Sequence, residues 1–163
     1  MGFYRYYSPL LFTVPTPTAT ELHLGTSYDF FLHAISPRLT LAQLAEGLVG
    51  LCAATERGEI RREEVIEGTV CFLSEPTLRR FGFQPRALGP LRFLLVLANY
   101  PELLLLTSIA KGAFAPVPLG RVRRVRTTAE KLLAQKDHLE SFRTLLSRHP
   151  LGGLDLVDSP PPP

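Results

Sequence analysis

The sequence predicts an all-α fold: a compact single-domain bundle of six or seven helices with an extended aromatic arm at its N-terminus. Three observations predict it. Leucine is abundant while β-branched residues are few, a balance that favours helices over sheets. Apolar residues recur at three- and four-residue spacing behind capping residues in several segments. The chain of 163 residues, 45% hydrophobic and 20% charged, is long enough to bury one core and too apolar to stay disordered.

The arm occupies residues 1–20. Phe3, Tyr4, Tyr6, Tyr7 and Phe12 crowd there, and Pro9, Pro15 and Pro17 exclude a helix. Leaving such rings in water costs about 1.5–3 kcal/mol per side chain. The arm is therefore expected to lie across the core of its own chain or, alternatively, to dock on a second copy as a homodimer contact.

The helical domain follows over residues 21–150. Thr26 and Ser27 precede a short helix at 28–35 that Ser36-Pro37 closes. Thr40 and Gln43 form a capping-box pattern for a helix at 41–57, with Leu41, Leu44, Ala45, Leu48, Leu51 and Cys52 along one face. Gly47 and Gly50 inside it each cost about 1 kcal/mol against alanine unless another helix packs closely there. The charged stretch from Glu59 to Glu64 predicts a further helix to Gly68, with Glu63, Glu64 and Glu67 as a solvated face. Ser74-Glu75-Pro76 then opens a short helix through Phe81, serine at the cap and proline in the first turn.

Residues 91–110 are the most apolar stretch. A transmembrane span needs about 20 continuous apolar residues, and Arg92, Asn99 and Glu102 interrupt this one. Two buried helices meeting at Pro101 are expected instead, at the centre of the bundle. Thr127 and Glu130 form a second capping box, ahead of an amphipathic helix at 128–148. Residues 151–163 form a proline-rich tail with too little to bury, expected to be disordered.

Catalytic chemistry finds little footing. Cys52 and Cys71 lie in apolar runs and are expected to be reduced, buried hydrophobes. Asp29 and His33 share a helix face, but a metal needs three or four ligands, so a surface hydrogen bond between them is expected. A small enzyme or an apolar-ligand pocket built around that pair is the third functional reading. Gly47-Leu48-Val49-Gly50 falls within a helix, where it cannot cradle a phosphate. No catalytic residue, metal or cofactor is nominated. The apolar stretch after Arg5 is too short and too proline-broken for a secretory leader, so cytoplasmic residence is expected.

Charge is the one concentrated signal. The chain carries a formal +3, and Arg121, Arg123, Arg124 and Arg126 supply it: without them the total would be −1. Guanidinium groups at this density attract phosphates and carboxylates. The leading expectation is a non-enzymatic regulatory or interaction protein that binds nucleic acid or an acidic partner through these arginines. A scaffold module dimerising through the apolar arm is the alternative. Failing either contact, the run is a solvated connection or an edge strand guarded by charge. Within residues 63–83, Ser74 to Phe81 resembles the start of the recognition helix of helix-turn-helix proteins, and Gly68 stands where that motif has a small residue. Phe72 and Glu67 depart from the pattern. The resemblance implies that Glu75, Thr77, Arg79 and Arg80 face a DNA groove.

Overall fold

The computed structural model describes residues 4–25, 29, 36–71 and 73–148, and its centre is a six-stranded mixed sheet. The all-α expectation is therefore corrected: the protein is α/β, not a helical bundle. In chain order the elements are β1 (Arg5–Tyr6), β2 (Leu11–Pro15), β3 (Thr20–Leu24), α1 (Pro37–Glu56), β4 (Val65–Val70), α2 (Glu75–Arg80), β5 (Gln84–Arg86), α3 (Pro90–Ala98), α4 (Tyr100–Lys111), β6 (Arg123–Thr128), α5 (Ala129–Leu133) and α6 (Lys136–Arg148). The strand order is β1-β2-β3-β4-β6-β5. Every neighbouring pair is antiparallel except β3 with β4, which α1 joins as a crossover.

Two of the strands were hidden by charge. Val65-Ile66-Glu67-Gly68-Thr69-Val70 is rich in β-branched residues, and it forms the middle of the sheet rather than the end of a helix. Arg123 to Thr128 pairs along its whole length with β4 and takes β5 on its other edge. It is thus an interior strand, neither a connection nor an edge. The real edges are short. β1 has two residues and β5 three, with Pro85 in the latter, which limits pairing with another chain.

The helices form where apolar spacing placed them, with shifted ends. Ser36, not Thr40, caps α1: its side chain accepts from the Leu39 N–H, with Pro37 in the first turn. Thr128 caps α5 by accepting from Lys131, one residue after the expected position, and the long C-terminal helix is broken into α5 and α6. α2 is capped by Ser74 with Pro76 in its first turn, as its sequence indicates. It follows a strand rather than a helix, so the helix-turn-helix resemblance fails. The predicted helix at 28–35 and the tail at 151–163 lie outside the described residues, Asp29 apart.

The core lies on one face of the sheet. Leu11, Ile66 and Val125 meet Leu44, Leu48, Leu51 and Cys52 of α1, with Ala129, Leu132 and Leu139 of α5 and α6 closing the layer. Gly47 and Gly50 are explained by the β1–β2 hairpin and not by a helix. A Cβ on Gly47 would enter the Leu11 side chain, and one on Gly50 would stand 3.0 Å from the Tyr7 carbonyl oxygen. The aromatic arm is thus part of the domain: Leu10, Leu11 and Phe12 are buried.

The pair α3–α4 is not at the centre. None of the residues of α3 is buried, and Leu91, Leu94 and Leu95 are 73%, 59% and 56% exposed. This overturns the expectation of two buried helices. Among the described residues no single helix is long and apolar enough to cross a membrane; α3 and α4 pass that test only together, across a bend of 62°.

Candidate functional site

Alternation along the strands builds the two features that stand out. On β6, Val125 and Thr127 turn into the core, so Arg124 and Arg126 turn to the opposite face. Across the ladder they stand beside Thr69 and Glu67 of β4 and beside Arg86 and Gln84 of β5. Glu67 in turn stands beside Glu21 of β3. Two carboxylates side by side would repel, and arginines answer them. Arg124 Nη2 donates to Glu67 Oε2, and Arg126 Nε lies 3.4 Å from Glu67 Oε1. Arg92, reaching in from α3, spans both acids, 3.4 Å from Glu21 Oε1 and 3.7 Å from Glu67 Oε2.

Glu67 is only 6% exposed. Burial by itself would raise its carboxyl pKa, but the hydrogen bond and charge of Arg124, with the charges of Arg126 and Arg92, outweigh that and hold it below the ordinary glutamate value. The expectation of a solvated Glu67 is therefore corrected. Strand periodicity was the available signal: Glu67 alternates with Ile66 and Gly68, and helix spacing hid the pattern.

The arginine run is thus divided. Arg124 and Arg126 face the acids of the sheet, while Arg123 donates from Nε to Glu75 Oε1 at 3.0 Å, at the start of α2. Arg121 ends the short 3-10 turn Leu119–Arg121 before the strand. Arg79 and Arg80 close α2 and are exposed. Strand geometry sends the residues of the run to different sides instead of presenting one stripe.

The second feature is a cavity of about 720 Å³. It opens where β3 and β4 part. Their parallel pairing runs only from Thr20 with Ile66 to Leu22 with Gly68. Beyond that point His23, Leu24 and Gly25 diverge from Thr69 and Cys71, and the fork is the cavity floor. Leu41 of α1, Leu103 and Leu106 of α4, and Phe142 and Leu145 of α6 wall it with apolar groups. Phe81 stiffens one wall, with Phe142 edge-on at 5.2 Å between centroids and the His138 ring at 6.1 Å. Polar groups interrupt this lining: Ser74 at the cap of α2 with Thr77 and Arg80 of that helix, His138 and Ser141 of α6, Thr40 of α1, Thr107 of α4, and Glu21 and His23 of β3.

Cys71 also lines the cavity, and burial pushes its thiol up to about 11; burial does the same to Cys52 in the core. Both are free thiols and neither is an activated nucleophile at neutral pH. Among the described residues no group of three or more His, Cys, Asp or Glu side chains is placed to hold a metal ion. His33 lies outside the described residues, so its expected pairing with Asp29 does too. Of the arginines nominated by sequence, Arg80 alone lines the cavity. The cavity itself left no mark in the sequence, because residues from six separate elements assemble it.

No family model, curated protein or solved structure matches this chain.

Proposed function

We propose that this is a non-enzymatic binding protein whose cavity holds an elongated apolar molecule with an anionic end. The observation that carries the reading is the cavity at the β3–β4 fork. Its volume falls in the range of about 300–1,000 Å³ usual for small-molecule sites, and its lining has their character, mostly apolar with a few polar groups. Leucine and phenylalanine side chains suit a hydrocarbon body. Arg80 has no ion-pair partner among the described residues, and with Ser74 and Thr77 on the same helix it suits a carboxylate or phosphate at the mouth.

Polyanion binding through Arg121, Arg123, Arg124 and Arg126 has less support, since Glu67 and Glu75 already engage three of the four. Ligand affinity should therefore survive glutamine at those positions.

A conjugated polyene fatty acid, which fluoresces in apolar surroundings, tests the proposal. The wild-type protein should take it up saturably. Leu103→Trp should weaken uptake by roughly tenfold or more by filling the cavity, and Arg80→Gln by about fivefold to tenfold through loss of a charged contact. Bound probe should also slow alkylation of Cys71. A folded protein that ignores the probe, or an L103W variant that binds it as well as wild type, would defeat the proposal.

A further inference from the structure

The helix α3 is turned inside out. Arg92 points inward to Glu21 and Glu67, while Leu91, Leu94, Leu95 and Leu97 are exposed. A soluble surface helix has the opposite arrangement, apolar groups inward and charges outward. The cause is local: the side-by-side carboxylates of Glu21 and Glu67 need a cation, and satisfying them with Arg92 fixes the helix with its leucines outward.

The charge beside this helix has a definite sign. On the face that Arg92 enters, Arg86, Arg92, Arg124 and Arg126 outnumber Glu21 and Glu67, and Arg86 is exposed with no ion pair among the described residues. Exposed leucines next to surplus guanidinium groups match one kind of surface well, an acyl layer beneath anionic headgroups. A symmetric dimer through the same patch would set this positive face against its own copy.

We propose that α3 is a membrane-surface anchor that lays its leucines into the headgroup boundary of an anionic bilayer, with Arg86 and its neighbours on the lipid phosphates. The helix has nine residues, too few to span a bilayer, so the protein lies on the membrane rather than through it. The anchor does not depend on the cavity holding a ligand.

The 163-residue chain has no tryptophan, so Leu94→Trp gives a sole tryptophan reporter that keeps the position apolar. With mixed phosphatidylcholine–phosphatidylglycerol vesicles its emission should shift to the blue, and the protein should sediment with them. Pure phosphatidylcholine should bind it more weakly, and salt should reduce binding to the anionic vesicles. The double variant L94S/L95S should lose at least about tenfold in vesicle affinity, and R86Q about fivefold, with circular dichroism unchanged. Three results would overturn the anchor: no blue shift and no sedimentation by the folded protein; a dimer that L94S/L95S abolishes while vesicles stay unbound; or capture by duplex DNA in place of vesicles.

Discussion

At the scale of single residues, Glu67 organises the outer face of the sheet. Its charge is buried on a central strand, opposite another carboxylate, and three guanidinium groups from two elements converge on it. Removing the charge should cost about 1–3 kcal/mol, the range for leaving hydrogen-bonding partners unsatisfied, since the three arginine side chains are partly exposed. The pH dependence has a fixed sign. A carboxyl lowered in the folded state contributes stability that is complete above its unfolded value, near 4.5, and is lost as pH falls through the folded value. Wild type should therefore exceed Glu67→Gln in Tm at neutral pH, with the gap closing below about pH 4.5. A gap that is level with pH in thermal melts would show that the carboxylate's charge contributes nothing.

At the scale of elements, legibility followed periodicity. The helices α1, α2 and α6 are written in capping residues and in leucines at three and four, and they form close to where those signals stand. The strands were not legible in the same way. The outer face of β6 carries Arg124 and Arg126 against Glu67 of β4, and charged runs such as Glu59 to Glu64 ahead of β4 read locally like a solvated helix. The alternation Arg-Val-Arg-Arg-Val-Arg-Thr was present, but its buried partners on β4 lie far away in sequence. The same blindness affected Gly47, whose meaning depends on the close approach of β2. Gly47→Ala tests this. Helix propensity alone favours alanine by about 1 kcal/mol. Collision with Leu11 should cost about 1–3 kcal/mol. Urea unfolding should accordingly find the variant less stable; a gain would mean that α1 can move away from β2 freely.

At the scale of the whole molecule, the sheet has helices on both faces, and its two layers differ in kind. One holds the apolar core beneath α1, α5 and α6, and the other holds α3 on ion pairs. The arm supplies Leu11 to the first layer, and deleting residues 1–20 removes β1 and β2 together with the buried Leu10, Leu11 and Phe12. Sedimentation of that deletion should report aggregates; a well-folded monomer would show the arm to be dispensable. The cavity, by contrast, belongs to no layer and could not be read from any one segment.

The short parallel contact between β3 and β4 has one more consequence, for the order in which the protein folds. β1, β2 and β3 can join as a local meander, with each strand near its partner in the chain. β4 and β6 must close the loop that contains α2 through α4, and β3 meets β4 only after the chain has passed through α1. Such distant contacts carry the largest loop-closure entropy and form late. The sheet is thus a local meander joined to two long-range pairings, of which β4–β6 closes the larger loop and β3–β4, only three residue pairs long, is the shorter seam.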